Sequence, residues 1–238
     1  MGNSWSDIFD GDDSLAKNVV PIATSPRSGS HFLCSLLYLS GLGVPFEYFI
    51  KGTIDQYHER FKIEGRVSKG DYLNALLQHR TRNRVLSFKL NPSHIKRIEW
   101  KKIIHLPMWF IWLRRRDISE QAISMAAASM TGKWGIGEET SPLIHPKAQS
   151  INDRYLQCKQ FLKECDQAWL TFFDKQNVKP YTLWYEDITS ADRAAETLAA
   201  LPFNIDIQKI SPLISSPKPY DTNFEIKEKI RNEIEKFS

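Results

Sequence analysis

One stretch near the start of the chain leaves few folds open. Val19-Val20-Pro21-Ile22-Ala23 is an apolar run of strand type, Thr24 to Gly29 is polar, and Ser30 opens a helix through Phe32, Leu33, Leu36, Leu37 and Leu39 to Gly41. A strand that passes through a tight turn into a helix aims several backbone N–H groups and the positive end of a helix dipole at one spot. Gly29 lets the backbone approach an anion, Ser28 and Ser30 add hydroxyl donors, and Arg27 adds a forked cation. The loop therefore suits a phosphate or a sulfate, although a simple capped turn would use the same Ser, Gly and Pro. The nucleotide-triphosphatase pattern G-x-x-x-x-G-K-[ST] is absent, which argues against a magnesium-dependent kinase.

The rest of the chain repeats the alternation of strand and helix. Val85 to Leu90 reads as a strand with Lys89 near its C-terminal end, the end at which open α/β sheets collect ligands. Met108 to Leu113 is a continuous apolar run of the kind buried on both faces, and it ends in Arg114-Arg115-Arg116-Asp117. A helix capped near Asp117 follows, with Ile118, Ala122, Ile123 and Met125 inward and Ser124 about two turns down. The three arginines make a second anion site, Arg114 and Arg116 being the two better read as solvated or paired with acids. Tyr155, Cys158, Leu162, Cys165, Trp169 and Phe172 fall at helical spacing within a long helix from Ser150 to Gln176.

Other segments are expected as follows: a helix from Asp71 to His79, a short one from Pro92 to Trp100, a strand from Val178 to Tyr185 with Glu186 and Asp187 at its end, and a helix capped by Ser190. Residues 50 to 70 show no period and read as a connection. Residues 135 to 148 read as a loop, Ser211 to Pro219 as a Pro/Ser-rich segment, and the chain from Phe224 as a charged helix. Residues 1–17 are expected to be a flexible leader and 18–238 a single α/β domain, its sheet mostly parallel and flanked by helices.

Composition narrows the partners. The 32 basic and 28 acidic residues leave a charge of +4 without a basic run, so anionic small molecules fit better than nucleic acid. Cys34, Cys158 and Cys165 are odd in number and lack metal-ligand spacing, which points to a reducing compartment and no disulfide framework. No apolar run approaches the ~18 residues of a membrane span, so the expectation is a cytoplasmic protein with no resident metal. Glu47, between Phe46 and Tyr48, is noteworthy because partial desolvation raises a carboxylate's proton affinity toward that of a useful base. A solvated loop glutamate beside two core aromatics is the alternative.

Taken together and in order, Ser25-Pro26-Arg27-Ser28-Gly29-Ser30, Pro45-Phe46-Glu47-Tyr48-Phe49, Phe88-Lys89-Leu90, Ile111 to Asp117, Gln121-Ala122-Ile123-Ser124 and Thr131-Gly132-Lys133-Trp134 resemble the bacterial trehalose 2-sulfotransferase family. The resemblance implies a P-loop-like sulfotransferase fold and 3'-phosphoadenosine 5'-phosphosulfate (PAPS) as donor. It implies that Arg27, Ser28, Gly29 and Ser30, with His31, hold the phosphosulfate, and that Arg115 and Ser124 hold the 3'-phosphate. Glu47 matches the family's general base, and Lys89 matches a lysine near the transferred group. The acceptor would be a hydroxyl of a sugar or similar small metabolite, and the family makes a homodimer plausible. His31 stands where the family usually has a threonine, adding a titratable ring that could serve as an alternative base. A small-molecule kinase and a non-catalytic nucleotide-binding protein are the competing classes.

Overall fold

In the computed structural model, which describes residues 11–61, 68–135, 138–139, 150–215 and 223–236, the apolar run at Val19 is the central strand of a sheet. In chain order the first half contains β1 (Asn18–Ala23), α1 (Ser30–Leu39), α2 (Lys51–Arg60), α3 (Lys69–His79), β2 (Thr81–Arg82) and β3 (Val85–Leu90). Two 3-10 turns follow, Pro92–Arg97 and Trp100–Lys102. Then come β4 (Ile111–Arg114), α4 (Ile118–Thr131), β5 (Lys133–Gly135), β6 (Glu138–Glu139), α5 (Ile151–Gln176) and β7 (Tyr181–Trp184). The chain continues through α6 (Tyr185–Ile188), α7 (Ala194–Ala199), α8 (Ile207–Ser215) and α9 (Phe224–Glu235).

The main sheet runs β2-β3-β1-β4-β7. β1 is parallel to β3, with Asn18 opposite Val85 and Ala23 opposite Leu90, and parallel to β4 on its other side; β4 is parallel to β7, and only β2 is antiparallel. Parallel neighbours require long crossovers, which the helices supply. From β1 the chain builds outward to β3, then crosses back to lay β4 on the opposite side. The strand order reverses at β1, and a crevice at the carboxyl ends of β1 and its neighbours is the expected ligand position in such a sheet. The fold is α/β with a mostly parallel, helix-flanked sheet, as expected.

Both faces are covered, which is why the strands read as near-continuous apolar runs. Alternation along β1 sends Val19 and Ala23 to one core, with Leu73 and Leu76 of α3 and Trp169 and Phe173 of α5. Val20 and Ile22 go to the other, with Leu33, Leu36 and Leu37 of α1 and Leu198 of α7. A third cluster joins Ala122 and Ala126 of α4 to Cys158 and Leu162 of α5 and Ile230 of α9. All three cysteines are buried and unpaired. Residues of the expected leader that are described lie against the sheet edge: the Asp12 amide donates to the Thr81 carbonyl, the Ala16 amide donates to that of Leu77, and Ala16 is buried.

Several boundaries differ from the sequence reading. Residues 50 to 70, expected as a connection, contain α2, which buries only Thr53 and Tyr57 and so shows no periodic stripe. The Pro92 to Trp100 helix is two 3-10 turns, and β4 begins at Ile111 because Met108 makes only an isolated bridge to Val19. Ser190 is not a cap: Arg193 precedes α7, and the Ser190 carbonyl accepts from the Ala194 amide. Glu186 and Asp187 lie in α6. Much of the Pro/Ser-rich tail is α8, whose Ile207, Ile210, Leu213 and Ile214 join the α1-side core and outweigh the internal Pro212. Residues 1–10 of the leader, 216–219 of the tail and most of the loop from 135 to 148 lie outside the described residues.

Candidate functional site

The loop after β1 sits at the sheet's switch point and is tied down from three sides. The Gln121 side-chain amide of α4 donates to Ser25 Oγ at 3.0 Å and to the Pro26 carbonyl at 2.7 Å. The indole of Trp169 on α5 donates to the Thr24 carbonyl at 2.9 Å, and the Thr24 hydroxyl donates to the Leu90 carbonyl of β3 at 3.1 Å. The turn needs left-handed backbone at Arg27, φ 61°, and at Gly29, φ 85°. Gly29 caps α1 with no side chain of its own, so the cap places nothing over the first amides of the helix, while the Phe32 and Leu33 amides donate to its carbonyl. A Cβ on Gly29 would lie 2.1 Å from Cδ2 of Tyr185, so that ring packs directly on the loop backbone. The Ser28 hydroxyl is fully buried with no hydrogen-bond partner.

Glu47 arrives from the other side. Phe46 bridges Phe88 in parallel, and the Lys89 amide donates to the Phe46 carbonyl at 2.9 Å, which carries the next residue to the end of β3. Buried polar contacts fasten this segment: the Tyr48 hydroxyl donates to the Val44 carbonyl, the Tyr72 hydroxyl to the Tyr48 carbonyl, and Arg80 Nε to the Tyr48 hydroxyl. On β3, Leu86, Phe88 and Leu90 point to one core, so the alternate residue Lys89 faces the α1 side. Its ammonium, almost wholly buried, stands 3.4 Å from Glu47 Oε1.

Electrostatics in this corner run opposite to the expectation for Glu47. Burial raises its proton affinity, but Lys89, His31 and His94 together more than reverse that, so Glu47 is held below the ordinary carboxylate value. His31, in the first turn of α1, is depressed chiefly by the Lys89 ammonium, then by desolvation and by Arg27, with Glu47 opposing. His94 is depressed by burial first, with Glu47 opposing and Arg97 and Lys89 adding to the shift. At neutral pH the charge beside the carboxylate is therefore the Lys89 ammonium; the His31 and His94 rings act on it only when protonated.

The arginines after β4 have different fates. Arg114 pairs with Asp166 at 2.9 Å and packs between the Trp112 and Trp184 rings; Arg116 pairs with Asp187 at 2.6 Å. Arg115 Nε is buried with no hydrogen-bond partner, and its guanidinium stacks 5.0 Å from the centroid of Tyr185, the same ring that packs on Gly29. Ser124, grouped with Arg115 in the sequence reading, instead accepts from Arg27 Nε at 2.9 Å, while Arg27 also donates to the Trp134 carbonyl. The two expected anion sites therefore meet, through the Arg27–Ser124 bond and through Tyr185.

The fold brings Arg27, Ser28, Gly29, Ser30, His31, Glu47 and Lys89 to one end of the sheet, with Arg115 beyond Tyr185. Sequence reasoning missed Asn91, His94 and Tyr185. Asn91 had one available signal, its place two residues beyond Lys89, which puts both on the same side of the strand. Among the described residues no group of three or more His, Cys, Asp and Glu could hold a metal ion, and no helix is long and apolar enough to cross a membrane.

No curated protein matches the chain. The family model described as Stf0 sulphotransferase matches residues 89–209, just over half of the 238 residues. That span begins at Lys89 and includes Arg115, Ser124 and Tyr185, while the loop from Ser25 to His31 and Glu47 precede it. The trailing strand, the arginines at its end and the helix carrying Ser124 thus agree with both the fold and the resemblance in the sequence: the chain belongs to the Stf0 sulphotransferase family.

Proposed function

We propose that the protein transfers a sulfuryl group from PAPS to a hydroxyl of a sugar or similar small metabolite, with Glu47 as general base. The observation that carries this reading is the Glu47–Lys89 pair, 3.4 Å apart at the mouth of the strand-order reversal and beside an anion-type loop. The residues present fit the donor: two polar atoms, Ser28 Oγ and Arg115 Nε, are buried without partners, one in each anion site. A bisphosphate-bearing nucleotide could satisfy both orphans at once.

When bound, PAPS supplies a sulfuryl group already attached to a good leaving group, adenosine 3',5'-bisphosphate. Glu47, kept ionised by the Lys89 ammonium, would accept the proton of the acceptor hydroxyl as the sulfuryl group passes to that oxygen and adenosine 3',5'-bisphosphate leaves. Holding the base ionised at neutral pH sacrifices some basicity, so its contribution rests on position as well as proton affinity. Lys89, Arg27 and the first amides of α1 stabilise negative charge on the departing and equatorial oxygens, the task that magnesium performs in phosphoryl transfer. His31, neutral in the free protein, would stand beside the donor at the start of α1.

Labelled sulfate from PAPS, offered with a metabolite extract, tests the proposal. Wild type should label a hydroxyl-bearing product, Glu47→Gln should lose ~10²–10⁴ in turnover, and Arg27→Ala should weaken adenosine 3',5'-bisphosphate binding. Transfer at the wild-type rate by Glu47→Gln, or turnover of ATP with magnesium and none of PAPS, would overturn it.

A further inference from the structure

Two donors converge on one oxygen of Glu47. Lys89 Nζ and Asn91 Nδ2 both approach Oε1, at 3.4 and 3.5 Å. Both donors continue the same side of β3, one at the end of the strand and one just past it. The orientation of the Asn91 amide follows from its partners: a carboxylate only accepts, so the NH₂ group faces Glu47, and Oδ1 faces the Thr24 hydroxyl at 3.4 Å. Thr24 opens the anion-type loop; its amide donates to the Leu90 carbonyl, and its single hydroxyl proton is shared between that carbonyl at 3.1 Å and Asn91 Oδ1 at 3.4 Å. On its other flank, the Asn91 amide N–H donates to His94 Nδ1 at 3.3 Å within a capping box, which fixes where the 3-10 turn leaves β3.

We propose that Asn91 is a positioning residue: its side chain clamps Oε1 of Glu47 against the Thr24 loop, so that Oε2 is the atom presented to the acceptor hydroxyl. The inference rests on Glu47 being the base, and it adds which oxygen works and what aims it. The charged and titratable groups facing Glu47 are Lys89 from β3, His31 from α1 and His94 from the 3-10 turn. Removing the amide takes away a donor and leaves all three in place.

The test is the titration of the Glu47 carboxyl by carbon NMR of glutamate-labelled protein, its resonance assigned by its absence in Glu47→Gln. Asn91→Ala should move the Glu47 midpoint to higher pH, because a donor to the charged form is lost. Turnover should fall about tenfold or more with the KM for PAPS little changed, as expected when a base is misaimed and the donor site is intact. Asn91→Leu, close in size and without a donor, gives the same reading should the alanine variant prove unstable. An unchanged midpoint in a folded variant overturns the assignment, whether or not transfer occurs. Failure of the sulfotransferase reading itself would appear separately, as a wild-type protein that transfers no sulfate.

Discussion

At Gly29 two physical demands meet. Its φ of 85° is a conformation in which a Cβ is strained, and the space a Cβ would take is filled by the Tyr185 ring at 2.1 Å. Gly29→Ala should therefore destabilise the fold by about 1–3 kcal/mol and weaken adenosine 3',5'-bisphosphate binding by displacing Tyr185 from beneath Arg115. Thermal unfolding together with calorimetry checks both; an alanine variant that binds and melts like wild type would refute the account. Arg27, also left-handed at φ 61°, has no such glycine licence; its side chain is anchored on Ser124 and the Trp134 carbonyl, contacts that favour this backbone. Neither partner could be read from spacing, since both are nearly a hundred residues away or more.

The end of β4 is a test at the level of an element. Three successive arginines leave one strand, and the structure distributes them between charge pairing and an open site. Arg115→Ala should weaken adenosine 3',5'-bisphosphate binding by about 10- to 100-fold, the size of a lost charged hydrogen bond of ~1.5–3 kcal/mol. Arg116→Ala, removing an exposed ion pair with Asp187, should leave binding unchanged. Equal losses in the two variants would contradict the division. The sequence reading already took Arg114 and Arg116 as the two more readily solvated or paired with acids. What spacing did not reveal were α2 and α8: the first buries too few residues to leave a period, and the second forms despite Pro212 because tertiary contacts of its four apolar residues dominate over local propensity.

For the whole molecule, the shifted histidines and carboxylates act in one direction on acidification. His31 and His94 are depressed from an ordinary 6.5, so below that value the unfolded chain takes up protons that the folded protein refuses, and stability falls as pH falls. Glu47 and Glu120 are depressed from 4.5, Glu120 chiefly by its hydrogen bond from Arg231, so their stabilisation is present above that value and is lost as pH drops through their folded midpoints. Melting temperature should decline in two stages on acidification from neutrality, and His31→Asn should lessen the first stage while leaving the second; on the alkaline side it should fall above the ordinary thiol value of 9.0, because burial raises Cys34 and Cys165. A melting temperature constant from neutrality to pH 5 would contradict this.

The sequence by itself determined the alternation of strand and helix, the central place of the run at Val19, the two anion-type loops and the identity of most side chains gathered there, because apolar periodicity, Gly and Ser chemistry and strand ends are local signals. Only the tertiary structure decided that burial loses to neighbouring cations at Glu47, that Ser124 serves Arg27, that Tyr185 joins Gly29 to Arg115, and that Asn91 meets the carboxylate. Those outcomes depend on distances between residues far apart in the chain, and such distances exist only once the sheet has brought the ends of its strands together.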